Sequence, residues 1–131
     1  MVGFIIASHG KFCVGLKEST EMIGGSIPQC VAVPLEVGEE PDAYGERLVE
    51  AVESVDKGAG VLMLIDLRGG TPFNRSLMLS RDHNVTIVVG ANLPMLLTLM
   101  LSRNEESTLE SLAKLAESEA KESIGTITFK C

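Results

Sequence analysis

Residues 60–74 read GVLMLIDLRGGTPFN. Gly60 to Ile65 form a short, continuous apolar run, the mark of a strand buried on both faces. Asp66 ends the run and Leu67-Arg68-Gly69-Gly70 makes a glycine-rich loop. Thr71-Pro72 has the order of an N-cap followed by proline at the first helical position, and the spacing predicts a helix to about Arg81. A buried strand turning through glycines into a helix is half of a βαβ unit. The stretch therefore points to a parallel sheet covered by helices.

The same alternation extends in both directions. Upstream, Val2 to Ala7 reads as a buried strand and is followed by Ser8-His9-Gly10. A helix is predicted over Lys11 to Ile23, with Phe12, Leu16, Ser19 and Ile23 inward and Gly24-Gly25 as its stop. Cys30 to Pro34 is a second strand. Pro41 to Val55 has clean helical spacing, with Tyr44, Leu48, Ala51, Val52 and Val55 on one face. Downstream, Val85 to Val89 is a fourth strand, and the helix from Pro94 to Leu101 is apolar nearly all round. Ser107-Thr108-Leu109-Glu110 has capping-box spacing and opens a last helix, with Leu109, Leu112, Ala113, Ala116 and Ala120 inward. The tail from Ile124 to Lys130 instead alternates, which predicts a half-covered, antiparallel strand.

The order β-α-β-α-β-α-β-α-α-β over residues 1–131 predicts one α/β domain. Its sheet is expected to be doubly wound and mostly parallel, in the order 2-1-3-4, with the C-terminal strand antiparallel. A chain of 131 residues fits such a domain. The net charge of −7 argues against a sequence-independent grip on nucleic acid and against docking on an anionic membrane. Three cysteines without CxxC spacing suggest neither a disulfide framework nor a zinc knuckle. The longest strongly apolar stretch, Leu93 to Leu101, is far short of the roughly 20 residues of a membrane span, and the N-terminus lacks the charged region of a signal peptide. A cytoplasmic location is expected.

Ligands of doubly wound sheets bind beyond the carboxyl ends of strands where the strand order reverses. With strands one and three adjacent, that edge brings His9 beside Asp66 and the loop 67–71. A neutral imidazole is a good nucleophile near pH 7. A carboxylate that accepts the proton of one ring nitrogen fixes the tautomer and stabilises the charge that develops on attack by the other. His9 and Asp66 are thus the candidate catalytic pair, with a solvated turn histidine as the plain alternative. Gly69, Gly70 and Thr71, at the positive end of a helix, form a candidate phosphate site, the alternative being an ordinary strand-to-helix turn. Arg68 could join that site, contact a partner, or only be solvated. Asn92 either lines the same edge or caps the next helix, and His83 reads as solvated in a polar turn.

No metal or cofactor is called for. GxxxxGK[ST] does not occur, and strand one carries no acidic pair to hold magnesium. A His-dependent phosphatase stays open as an alternative, although Ser8 stands where the Arg-His-Gly type has arginine.

Three segments together resemble the mannose-family enzyme IIA domain of the bacterial phosphoenolpyruvate:sugar phosphotransferase system (PTS). They are Gly3-Phe4-Ile5-Ile6-Ala7-Ser8-His9-Gly10, Asp66 to Asn74, and Asn92-Leu93-Pro94-Met95-Leu96, and the similarity runs over nearly the whole length. The resemblance implies that His9 accepts phosphate from the phosphocarrier HPr, on the ring nitrogen remote from the backbone, and passes it to enzyme IIB during sugar uptake. It implies contact with the membrane only indirectly, through the sugar permease, and a homodimer that exchanges its last strand. Family members often carry an aromatic or apolar residue where this chain has Arg68, a departure that bears on partner docking or phosphate contacts. The phosphoryl-donor subunit of dihydroxyacetone kinase has a related fold and is a further alternative.

Overall fold

The computed structural model describes residues 1–130. Four strands, β1 (Gly3–His9), β2 (Cys30–Leu35), β3 (Val61–Ile65) and β4 (Val85–Val89), form one sheet in the order β2-β1-β3-β4. All three pairings are parallel. The helices are α1 (Phe12–Gly24), α2 (Pro41–Val55), α3 (Gly70–Leu79), α4 (Leu93–Ser102) and α5 (Leu109–Glu122).

The pleat divides the apolar runs between two cores. Phe4, Ile6, Leu62 and Leu64 face α1, α4 and α5. Ile5, Ala7, Met63 and Ile65 face α2 and α3, where Tyr44, Leu48 and Val52 meet them. Strands covered on both faces have no polar side, so β1 and β3 read as continuous runs. The apolar α4 is covered by α1 and α5, which leaves only Leu101 of its large side chains exposed.

Two local expectations need correction here. The inner face of α1 is Cys13, Leu16 and Thr20, while Phe12, Ser19 and Ile23 are exposed. Both sets have helical spacing, and the hydroxyl of Ser8 decides between them. It is fully buried, donates to the Gly10 carbonyl and accepts the Cys13 amide, so it fixes where the helix begins. The capping box of α5 lies one residue later than expected, on Thr108 and Ser111. Residues 124–130 form no strand in the single chain, and Ile127 and Phe129 are almost fully exposed. No surface of their own chain lies beneath their apolar side, so the described sheet is wholly parallel.

Candidate functional site

The register aligns Ala7 with Ile65, and the Asp66 amide donates to the Ala7 carbonyl at 3.2 Å. That bond carries the β1–β3 ladder one step beyond β3 and sets Asp66 against His9. One carboxylate oxygen, Oδ2, accepts the His9 amide at 2.9 Å and lies 2.8 Å from His9 Nδ1. The other, Oδ1, accepts the Leu67 amide at 2.9 Å. On the far side of β1, the Gly10 amide donates to the Leu35 carbonyl. The imidazole is thus placed by backbone bonds to both neighbouring strands as well as by the carboxylate.

A carboxylate only accepts, so the 2.8 Å contact puts the imidazole proton on Nδ1. In the neutral ring Nε2 then carries the lone pair. The His9 side chain is 47% exposed whereas Asp66 is 12% exposed, so the holding group is sheltered and the held group is reachable.

Nε2 faces the backbone of α3. A Cβ placed on Gly70 would lie 2.7 Å from Nε2 and 2.8 Å from Cε1, and Gly70 has φ +80°. Only glycine allows this approach and this backbone together. The helix begins at Gly70, one residue before Thr71, with Gly69 at the cap position and φ +105°. The expected threonine cap is therefore not formed, and no side chain caps α3. Pro72 has no N–H to leave orphaned. The first amides of α3 have no side-chain acceptor and lie at the positive end of the helix, where Gly70 stands against the free ring nitrogen.

The structure thus brings together His9, Asp66, Gly69, Gly70 and Thr71. Arg68 is exposed on the same loop, and its guanidinium makes no ion pair among the described residues. Asn92 does both things expected of it: its side chain caps α4 by accepting the Met95 amide at 3.0 Å, and it lines the groove beside Phe12 at the same edge. His83 is not merely solvated. Its Nδ1 contacts the Leu79 carbonyl at the end of α3, and its Nε2 lies 3.3 Å from Glu53 of α2. The Glu53 contact, and then the Leu79 carbonyl, hold its pKa above the usual histidine value. Sequence reasoning missed Ser8, whose only signal is a hydroxyl closing an apolar run directly before the histidine. Among the described residues no cluster of three His, Cys, Asp or Glu side chains could hold a metal, and no helix is long and apolar enough to cross a membrane.

Fold and site define a doubly wound α/β domain that grips an imidazole by one nitrogen and presents the other over an uncapped helix. The chain belongs to the family described as PTS system fructose IIA component, whose model, EIIA-man, matches residues 3–116. It is 36% identical over 113 residues to the PTS system fructose-specific EIIA component of Bacillus subtilis, covering 86% of this chain and 77% of that one. A crystal structure of phosphotransferase system component EIIA from Streptococcus agalactiae superposes with a TM-score of 0.87 at 31% identity, over 96% of this chain and 97% of that one. The PTS system mannose-specific EIIAB component of Escherichia coli K12 is 25% identical over 98% of this chain, which spans only 40% of that longer protein. The role of the chain is accordingly phosphotransfer in a sugar phosphotransferase system.

Proposed function

We propose that His9 Nε2 carries the phosphoryl group, receiving it from phosphorylated HPr and giving it to enzyme IIB during sugar uptake. The observation that carries this reading is the 2.8 Å contact between Nδ1 and Asp66, which leaves Nε2 as the only nucleophilic ring nitrogen. In the first step the Nε2 lone pair attacks phosphorus and the nitrogen–phosphorus bond of the donor breaks. The ring becomes a phosphoimidazolium, whose positive charge the Asp66 carboxylate stabilises through the retained Nδ1 proton. The amides of Gly69, Gly70 and Thr71 bind the phosphoryl oxygens, with Arg68 within the same loop. Transfer to enzyme IIB reverses the step on a different partner.

The test is mass spectrometry after incubation with phosphoenolpyruvate, enzyme I and HPr. One phosphate on His9, labile in acid and stable in base, is expected. Label on His83 or Asp66 contradicts the reading. Continuous release of phosphate from a generic ester would replace it with a phosphatase.

The reading places the carrier in the cytoplasm, with the membrane reached only through the sugar permease. The charge of −7 supports this, because it opposes direct binding to an anionic membrane surface. It also includes a homodimer in which residues 124–130 pair with the sheet of the second copy. What supports the dimer is the alternating tail, whose Ile127 and Phe129 have no cover in one chain. Light scattering on the intact chain and on a chain ending before Ile124 tests it: a dimer is expected from the first, and a soluble monomer from both refutes the exchange.

A further inference from the structure

Four loops lie along the carboxyl edge of the sheet, and those of β2, β1 and β3 each hold out a large apolar side chain. Phe12 is 50% exposed at the start of α1, Leu67 is 51% exposed after Asp66, and Val37 is fully exposed after β2. Single exposed apolar residues are ordinary, but these three stand on the loops of three adjacent strands at the edge that carries His9. A groove of about 620 Å³ runs from Phe12 past Leu16 to Ala91 and Leu93.

Val37 is the most unusual of the three because it is fully exposed and yet firmly held. The Glu39 amide donates to the Glu36 carbonyl at 3.0 Å, and the Glu36 amide donates to the Glu39 carboxylate at 3.0 Å. Arg47 donates to that carboxylate at 3.2 Å and to the Pro34 carbonyl at 2.7 Å. The Glu36 amide, and then Arg47, keep the Glu39 carboxyl below its ordinary pKa, so the brace holds at neutral pH. Gly38, with φ +77°, closes the turn. The turn leaves β2 at Leu35, the residue paired with His9. Adjacent strands lie about 4.8 Å apart and each residue spans at most about 3.6 Å, which puts Val37 within roughly 12 Å of the His9 backbone.

The edge is also polarised. Glu36, Glu40 and Glu46 are exposed and make no ion pair among the described residues. Lys11 and Arg68 stand exposed on the loops of β1 and β3. A partner lying across the edge meets negative charge at β2 and positive charge at β1 and β3.

We propose that the braced turn Glu36–Glu40 is a docking knob: Val37 enters an apolar pocket on the phosphoryl-donating protein, and Glu36 and Glu40 meet Lys or Arg side chains bordering that pocket. This rests on the carrier reading and names the surface chemistry its partner needs. A short acidic turn with an apolar tip fixes the register of two proteins, while complementary charge speeds their encounter.

The experiment measures steady-state transfer from phosphorylated HPr to the intact chain, comparing Val37→Asp, the double variant Glu36→Lys/Glu40→Lys and the control Glu50→Lys on the exposed face of α2. Val37 has no packing to lose, so its variant retains the fold. We expect KM to rise about tenfold in Val37→Asp and in the double variant, with kcat within about twofold. KM for the wild type rises with salt, less steeply for the double variant, and Glu50→Lys stays near wild type. Unchanged KM in both test variants beside normal wild-type transfer overturns the docking turn and leaves the carrier reading intact. Unchanged KM with an altered mass by light scattering assigns the turn to contact between copies and equally overturns it. No transfer from the wild type removes both.

Discussion

Helices α3 and α5 begin in opposite ways. At α5, Thr108 accepts the Ser111 amide at 3.1 Å, Ser111 accepts the Thr108 amide at 3.3 Å, and Glu110 adds a negative charge to the first turn. Each of these features stabilises a helix start, together by about 1–2 kcal/mol. The start of α3 has no capping side chain and no acid in its first turn, and two glycines there take positive φ. The Ser8 hydroxyl accepts an amide of the first turn of α1 and Asn92 caps α4, while α2, which also lacks a capping side chain, has proline at its start and Asp42 in its first turn. The contrast teaches where the fold gives up stability. The helix start with neither a side-chain acceptor nor an acid is the one whose backbone lies against Nε2 of His9, where an arriving phosphoryl group would supply the missing negative charge.

Four substitutions press on this contrast. The largest effect is expected from Asp66→Asn, which keeps the shape but replaces a pure acceptor with a group that can donate toward Nδ1. Transfer should slow by about 10²–10⁴-fold with little change in the circular dichroism spectrum. An unchanged rate would leave Asp66 a structural bond only. Next is Gly70→Ala. Its methyl group would sit 2.7 Å from Nε2, so the ring or the helix start must shift. A displacement of that size should lower the transfer rate about 10²-fold, measured by phosphate label on His9 against time.

The third substitution moves to the other helix. Thr108→Ala should cost about 1 kcal/mol, seen as a fall of about 3–5 °C in Tm, with transfer unaffected. A loss of transfer there would mean that the two helix starts are not separate in function. The smallest effect is expected at the far end of α3. His83 has a raised pKa through Glu53 and the Leu79 carbonyl. Protonation is therefore favoured by folding, and its stabilisation is complete below the unfolded pKa and fades as pH rises through the folded one. His83→Gln should lower Tm at pH 6 and make little difference at pH 9, with transfer unaffected at both. Equal loss at the two pH values would assign His83 to packing rather than charge.

The sheet was legible because each buried strand is an apolar run bounded by turn residues, and 2-1-3-4 is the common order for four parallel strands alternating with helices. That order alone sets His9 beside Asp66. What could not be read depends on contacts absent from local pattern. Phe12-Leu16-Ser19-Ile23 and Cys13-Leu16-Thr20 have equal claim to the inside of α1 by spacing, and only the Ser8 hydroxyl chooses. Thr71 looked like a cap because Thr-Pro often starts a helix, but Gly70 adopts a backbone that starts it earlier. The tail at 124–130 has strand composition without a partner in its own chain. Val37 carries no periodic signal, and its position follows only from the brace formed by Glu39 and Arg47.

The central claim is that Asp66 holds one nitrogen of His9 so that the other carries phosphate. The most direct measurement is phosphorus–nitrogen coupling by NMR on the ¹⁵N-labelled, phosphorylated chain at neutral pH. The account predicts phosphorus bonded to Nε2 of His9, with a proton retained on Nδ1. Phosphorus on Nδ1, or on any residue other than His9, would contradict it.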